Sequence, residues 1–243
     1  MENNNPEYVY KNVIQVNETD ASRKFIANVF LWMFIALGLS AFCAYIFSHD
    51  QGLYNMLRDP ATGSNTGLGT IAMFAPLAFV LIISFGFNRL SYGVLMFLFV
   101  AFAVIMGISL SYILIVFTES SVLGVFLTTS VVFGIMAVAG YTTHTDLTKF
   151  GSIMIMGLIG IIIASVINMF MHSSRLEYII SYVGIAVFVG LTAYDVQKLK
   201  RIGAGLEYGD ASAKKMAIMG ALTLYLDFIN LFLMILRLFG RRR

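Results

Sequence analysis

Cysteine is nearly absent from this chain, and that narrows its chemistry at once. The single thiol, Cys43, lies within an apolar run, so an internal disulfide or a cysteine-based metal cluster is impossible. Charge is scarce as well: Asp, Glu, Lys and Arg make up 12% of the 243 residues, against roughly 25% in ordinary soluble domains. No HExxH, GxSxG or P-loop pattern occurs, which leaves the common zinc-protease, serine-hydrolase and nucleotide-hydrolysing chemistries without their residues. What fills the chain instead is hydrocarbon. The apolar set accounts for 59% and the mean hydropathy is +0.84, the composition of a membrane protein. The net charge of +3 does not suggest nucleic acid, because the basic residues are scattered among short loops and no stripe alternates with stacking aromatics.

A bilayer core of about 30 Å takes about 20 apolar residues as a helix. Seven such runs are present, at Phe25–Phe47, Leu68–Phe87, Tyr92–Phe117, Val122–Tyr141, Ser152–Met171, Tyr178–Tyr194 and Met216–Leu238. The fold expected is therefore an all-α, polytopic, seven-span membrane domain over residues 25–243, preceded by a polar tail, 1–24. The first run is longer than the ~7 to 15 residues of a signal peptide, so no cleavage is expected. Pro76 is expected to kink the second span. Seven spans put the tail and the loops after spans two, four and six on one side, with Lys11, Arg23, Lys24, Arg89, Lys149, Lys198, Lys200, Arg201, Lys214 and Lys215. The opposite loops hold Arg58 and Arg175, so the amino terminus is expected in the cytoplasm. The ending Arg241–Arg243 disagrees, since an odd number of spans carries it outside. Either that is tolerated or the last segment re-enters; a true span is the preferred reading. Small residues are expected to mediate helix contacts, with Ala103, Gly107 and Ser111 on span three and Gly160 and Ala164 on span five.

Against this background Asp227, in LTLYLDFINLF, stands out. An ionisable group within a span costs at least a few kcal/mol and faces a partner, water or the bundle interior. Its helical face continues through Gly220, Thr223, Asn230 and Arg237, a narrow polar seam on an otherwise apolar helix. The sixth span ends in GLTAYDVQKLK, with Asp195 and, on the same face, Thr192. Consecutive spans tend to be neighbours, so the two aspartates can meet. Two carboxylates within about 4 Å do not easily hold both charges; a proton, a cation or an arginine has to balance them. Arg89, in FGFNRLSYG at the turn between spans two and three, is the candidate counter-charge. Each has a plainer reading: Asp195 as a solvated residue at a helix end, Arg89 as a topology anchor. Ser165, Asn168 and His172 on span five read as interhelical hydrogen bonding, and His49 and His144 as solvated loop residues.

YDVQKLK closing the sixth span, LYLDFINLFLMILRLFG in the seventh and the GYTTHTDLTKFGS turn after the fourth resemble the Bax inhibitor-1 family of seven-span membrane proteins, over nearly all of the chain from Phe25 onward. That resemblance implies a central seventh helix wrapped by the other six and a pH-sensitive leak for calcium, with no enzymatic activity and no cofactor. It further implies that the paired aspartates, matching Asp195 and Asp227, form the sensor. An arginine at the end of span two, matching Arg89 when GISL at 107–110 is the anchor, latches onto the pair in one state. Thr192, Thr223 and Asn230 then line the seam. Calcium prefers several oxygen ligands, and Asp195 and Asp227 with the two threonines and water would hold it only transiently. The sign of the pH effect stays open, since deprotonation both creates the cation site and permits the latch.

Two rivals come from other classes. An intramembrane aspartyl protease also places a YD on one span and an aspartate on the next, but it carries GxGD where this chain has LYLD, and a PAL motif where this chain has no proline beyond Pro76. A regulator acting by contact with another membrane protein, such as a membrane protease, is the second. Calcium, protons, the lipid bilayer and such a protein are the expected partners, and a bacterial inner membrane the expected location.

Overall fold

The computed structural model describes the backbone of residues 6–206 and 211–243, and side chains within those ranges from residue 20 onward. Among the described residues there are eight helices: α1 (Pro6–His49), α2 (Gln51–Leu57), α3 (Gly67–Gly86), α4 (Tyr92–Val116), α5 (Glu119–Thr142), α6 (Thr148–Met171), α7 (Ser174–Ala204) and α8 (Ala211–Phe239). All but α2 are long and apolar enough to cross a membrane. The protein is an all-α polytopic membrane protein. Its outer surface carries large exposed apolar side chains such as Phe34, Leu77, Phe97 and Phe170, as expected where lipid takes the place of water.

Helix starts follow their caps. Thr66, Ser91 and Ser173 each accept a backbone N–H from the first turn of α3, α4 and α7, which satisfies donors that the helix itself leaves unpaired. Several helices outrun their apolar windows. α1 reaches back to Pro6, into the stretch expected as a tail, and α7 continues past the basic residues to Ala204. The stretch between the sixth and seventh apolar runs is therefore mostly helix; its residues 207–210, like residues 1–5 of the tail, lie outside the described residues. α3 passes through Pro76 as one helix.

α8 forms the core. It packs against α7, α1, α5 and α4, while α3 and α6 form an outer layer resting chiefly on α4 and α7. The seventh span is thus central, but the wrapping is by four helices and not by all six. Glycines set the close crossings. A Cβ on Gly107 would meet the Ser40 backbone of α1 at 2.5 Å, and one on Gly140 would overlap the Ala193 carbonyl of α7. The expected stripe Ala103, Gly107 and Ser111 is buried as proposed. The stripe on α6 is only half so: Ala164 packs against the core, but Gly160 faces open space, and Gly151 and Gly157 lie against Tyr194 and Val187 of α7. Residue 160 lies on the outer side of a helix that is covered on one side only.

The last helix does not re-enter. α8 is unbroken for 29 residues, about 43 Å at 1.5 Å per residue. The residues after it pair with the α4–α5 turn: Thr118 N donates to Arg241 O at 3.0 Å and Arg243 N to Val116 O at 2.9 Å. Arg243 also meets Glu119 at 2.9 Å, and His49 lies 3.5 Å from the same carboxylate. His49 is accordingly the last residue of α1 and not in a loop, although it is exposed as expected. These contacts mark one end of the bundle, the Glu119 end; Lys198, Lys200 and Arg201 mark the other, the lysine-rich end.

Candidate functional site

α7 and α8 pack along each other, and their carboxylates meet. Asp195 and Asp227 lie side by side at hydrogen-bonding range. Asp227 is 6% exposed; Asp195, at the edge, is half-buried. Because α7 continues to Ala204, Asp195 is well inside a helix and not at a frayed, solvated end. With both carboxyls ionised, no donor reaches Asp227 Oδ2, which is buried without a hydrogen-bond partner. An orphaned acceptor of this kind carries its full desolvation cost.

The other predicted residues divide. Thr192 is fully buried and donates to the Phe188 carbonyl at 2.8 Å. Thr223 and Asn230 donate to Met219 and Leu226 one turn back on α8, so each side-chain oxygen keeps an accepting lone pair. Their stripe is the least covered side of α8: Met216, Met219, Thr223, Leu226, Asn230, Leu233 and Arg237 are all half-buried, whereas most of the intervening residues are buried. The seam therefore follows a groove on the central helix, with Asp227 on its buried margin. At the Glu119 end it closes on an ion pair, Arg237 Nε to Glu177 at 3.4 Å.

At the lysine-rich end the seam opens into a cavity of about 240 Å³ lined by Phe87, Asp195, Lys198, Leu199, Ile202, Met216, Met219, Gly220 and Thr223. Phe87 brings the α3–α4 turn to this cavity, and Lys215 sits 5.0 Å from its ring. Arg89, two residues further on, is exposed, and among the described residues it forms no ion pair with either aspartate. The cation acting on Asp195 is Lys198, three residues along α7. That pairing was available from the i, i+3 spacing in YDVQK and was not drawn from the sequence. Nor was the network beside the site, in which Ser40 Oγ lies 2.7 Å from both the Ala103 carbonyl and the Tyr225 hydroxyl. It ties α1, α4 and α8 together two residues from Asp227. The expected interhelical bonding from Ser165, Asn168 and His172 is not seen: Ser165 is exposed, Asn168 caps the α6–α7 turn through Ser173 N at 3.0 Å, and His172 lies 3.2 Å from the Phe170 carbonyl of its own helix end.

Among the described residues no group of three or more His, Cys, Asp or Glu gathers around one point. Two carboxylates and a threonine hydroxyl supply fewer oxygens than the six to eight of a calcium cage.

Comparison with known proteins agrees with this architecture. The inner membrane protein YbhL of Escherichia coli K12 is 44% identical over 220 residues, covering 90% of this chain and 92% of its own. A Rickettsia prowazekii protein is 42% identical over 221 residues, covering 91% of each chain, and one from Borreliella burgdorferi is 42% identical over 220 residues, covering 90% and 93%. The family model described as inhibitor of apoptosis-promoting Bax1 matches residues 22–243, and with it the chain belongs to the Bax inhibitor-1 family of membrane proteins.

Proposed function

We propose that this protein is a pH-sensitive leak for calcium, gated by the Asp195–Asp227 pair. The observation that carries the reading is the orphaned Oδ2 of Asp227 beside a second carboxyl at the head of a polar seam on the central helix. A proton shared between the carboxyls satisfies that oxygen and leaves the pair with one negative charge. Loss of the proton leaves two charges in a poorly hydrated site, which a divalent cation entering through the cavity at Asp195 compensates. Thr223 and Asn230 offer further oxygens along the seam, and Leu226 and Leu233 between them narrow it against free flow. Arg89 serves as the alternative counter-charge: reaching Asp195 requires the α3–α4 turn to move, and such a movement would occlude the cavity that Phe87 lines.

Positive charge clusters at the lysine-rich end, which supports placing that end and the amino terminus in the cytoplasm. Arg241–Arg243 then lie outside, held by the α4–α5 turn. The naming of the E. coli relative as an inner membrane protein supports the same membrane here.

The test is calcium-dye flux into proteoliposomes between pH 5 and 8, comparing the wild type with Asp195→Asn and Asp227→Asn. Protein-dependent flux whose pH profile flattens in both variants is the expected result. No flux above empty liposomes, with folded protein verified, would sink the leak and leave a regulator that acts by contact with another membrane protein.

A further inference from the structure

The lysine-rich end holds a second cavity, of about 350 Å³, that shares no residue with the aspartate site. Its walls come from three helices: Ser22 of α1, Tyr141 at the end of α5 with Thr143 and His144 after it, and Gln197, Lys200 and Arg201 of α7. No carboxylate lines it. Asp146, two residues beyond the wall residue His144, is exposed and engaged by Arg201 at 2.8 Å. Counting it against Lys200 and Arg201 still leaves one positive charge.

The walls are fixed before any guest arrives. Gln197, 5% exposed, donates to the Thr145 carbonyl at 2.8 Å and accepts from Leu147 N at 2.9 Å, which pins the 143–148 turn to α7. Ser22 donates to the Lys200 carbonyl at 2.9 Å and closes the α1 side. Lys200 gives one N–H to the Tyr141 carbonyl at 2.8 Å, so two of its three donors remain. Arg201 commits one Nη1 hydrogen to Thr148 and both Nη2 hydrogens to Asp146 and Gln197, leaving the other Nη1 hydrogen and the Nε hydrogen. The Thr143 hydroxyl accepts from Thr145 N and keeps its own proton to give, and His144 adds a ring N–H.

An array of donors around a net positive hollow suits a tetrahedral oxyanion. The cavity lies at the lysine-rich end, where α5 stops and α7 turns from apolar to basic residues, and basic pockets between spans are recognised headgroup sites. Its volume lies at the lower end of the range for small-ligand pockets. We propose that this pocket binds a phosphate-bearing anion, with Lys200 and Arg201 supplying the charge and Thr143 and His144 further donors. The phosphate arrives either on a lipid headgroup or as the free ion.

The experiment titrates the full chain in neutral detergent with dioleoylphosphatidylglycerol, dioleoylphosphatidylcholine and inorganic phosphate, and reads bound stoichiometry by native mass spectrometry. Preference for phosphatidylglycerol over phosphatidylcholine identifies a lipid; saturable binding of inorganic phosphate identifies the free ion. Lys200→Met and Arg201→Gln should each weaken that binding about fivefold, Thr143→Val should weaken it less, and Lys149→Gln, at the same end but outside the pocket, should leave it unchanged. Lys200 also holds the Tyr141 carbonyl, so if Lys200→Met fails to fold, Arg201→Gln on the exposed rim carries the comparison. Equal retention of both lipids with no phosphate binding, or an equal loss in Lys149→Gln, overturns the proposal.

Discussion

Asp146 shows how a fully exposed carboxyl is held down to about 2: the Thr148 hydroxyl and backbone N–H bond it, and Arg201 adds a charged hydrogen bond. Since the folded value lies below the ordinary 3.8, the stability it contributes is complete above about pH 4 and is lost as pH falls toward 2. Asp146→Asn should therefore lower the unfolding temperature in detergent by a constant small amount from pH 5 to 8. The gap to wild type should close below pH 4. A gap that changed between pH 5 and 8 would contradict this account, and its constancy means that Asp146 contributes no pH response to flux in that window. At the aspartate pair the sequence was informative, because a carboxylate among leucines and phenylalanines has few tolerable environments, and a second one on the preceding span is the simplest. The surroundings of the pair were not legible. Whether Arg89 or Lys198 faces Asp195 depends on how the α3–α4 turn sits against α7, and no local pattern in FGFNRLSYG encodes that.

Among the elements, α7 and α5 approach until backbone meets backbone at Gly140 and Ala193. A side chain there must push the helices apart, and overpacking of this kind costs about 1–3 kcal/mol. Gly140→Leu is expected to lower the unfolding temperature and to loosen the 143–148 turn that follows it. Gly160→Leu, which adds the same side chain on the lipid-facing side of α6, should be neutral or slightly stabilising, because Gly is a poor helix former by about 1 kcal/mol. Equal losses in both would mean that the crossing is not sterically set. All seven spans were readable from apolar run length. Their ends were less so: charges close a hydropathy window, but a helix continues into water while its backbone bonds continue, as α7 does through Lys198, Lys200 and Arg201. Packing partners within the outer layer were also hidden, since α6 is apolar on nearly every side and nothing in its sequence separates the packed Gly151, Met154, Leu158 and Ile161 from the exposed Ile155, Ile159 and Ile162.

For the whole molecule, the strap formed by Arg241–Arg243 fastens the end of the chain to the α4–α5 turn by two backbone hydrogen bonds and the Arg243–Glu119 pair. The ion pair is half-exposed and worth little; the backbone bonds and the excluded water count for more. Deleting residues 241–243 should cost on the order of 1–3 kcal/mol, seen as a lower unfolding temperature and faster proteolysis near Thr118. An unchanged unfolding temperature would mean that the strap is ornamental. The central position of α8 has a consequence for synthesis. The helix on which α1, α4, α5 and α7 converge leaves the ribosome after the other six spans, and domains assemble in the order they are made. Until then six spans are in the membrane around a missing axis, with Ser40 lacking Tyr225 and Asp195 lacking Asp227. A chain interrupted between α7 and α8 thus carries six spans with no helix at their centre.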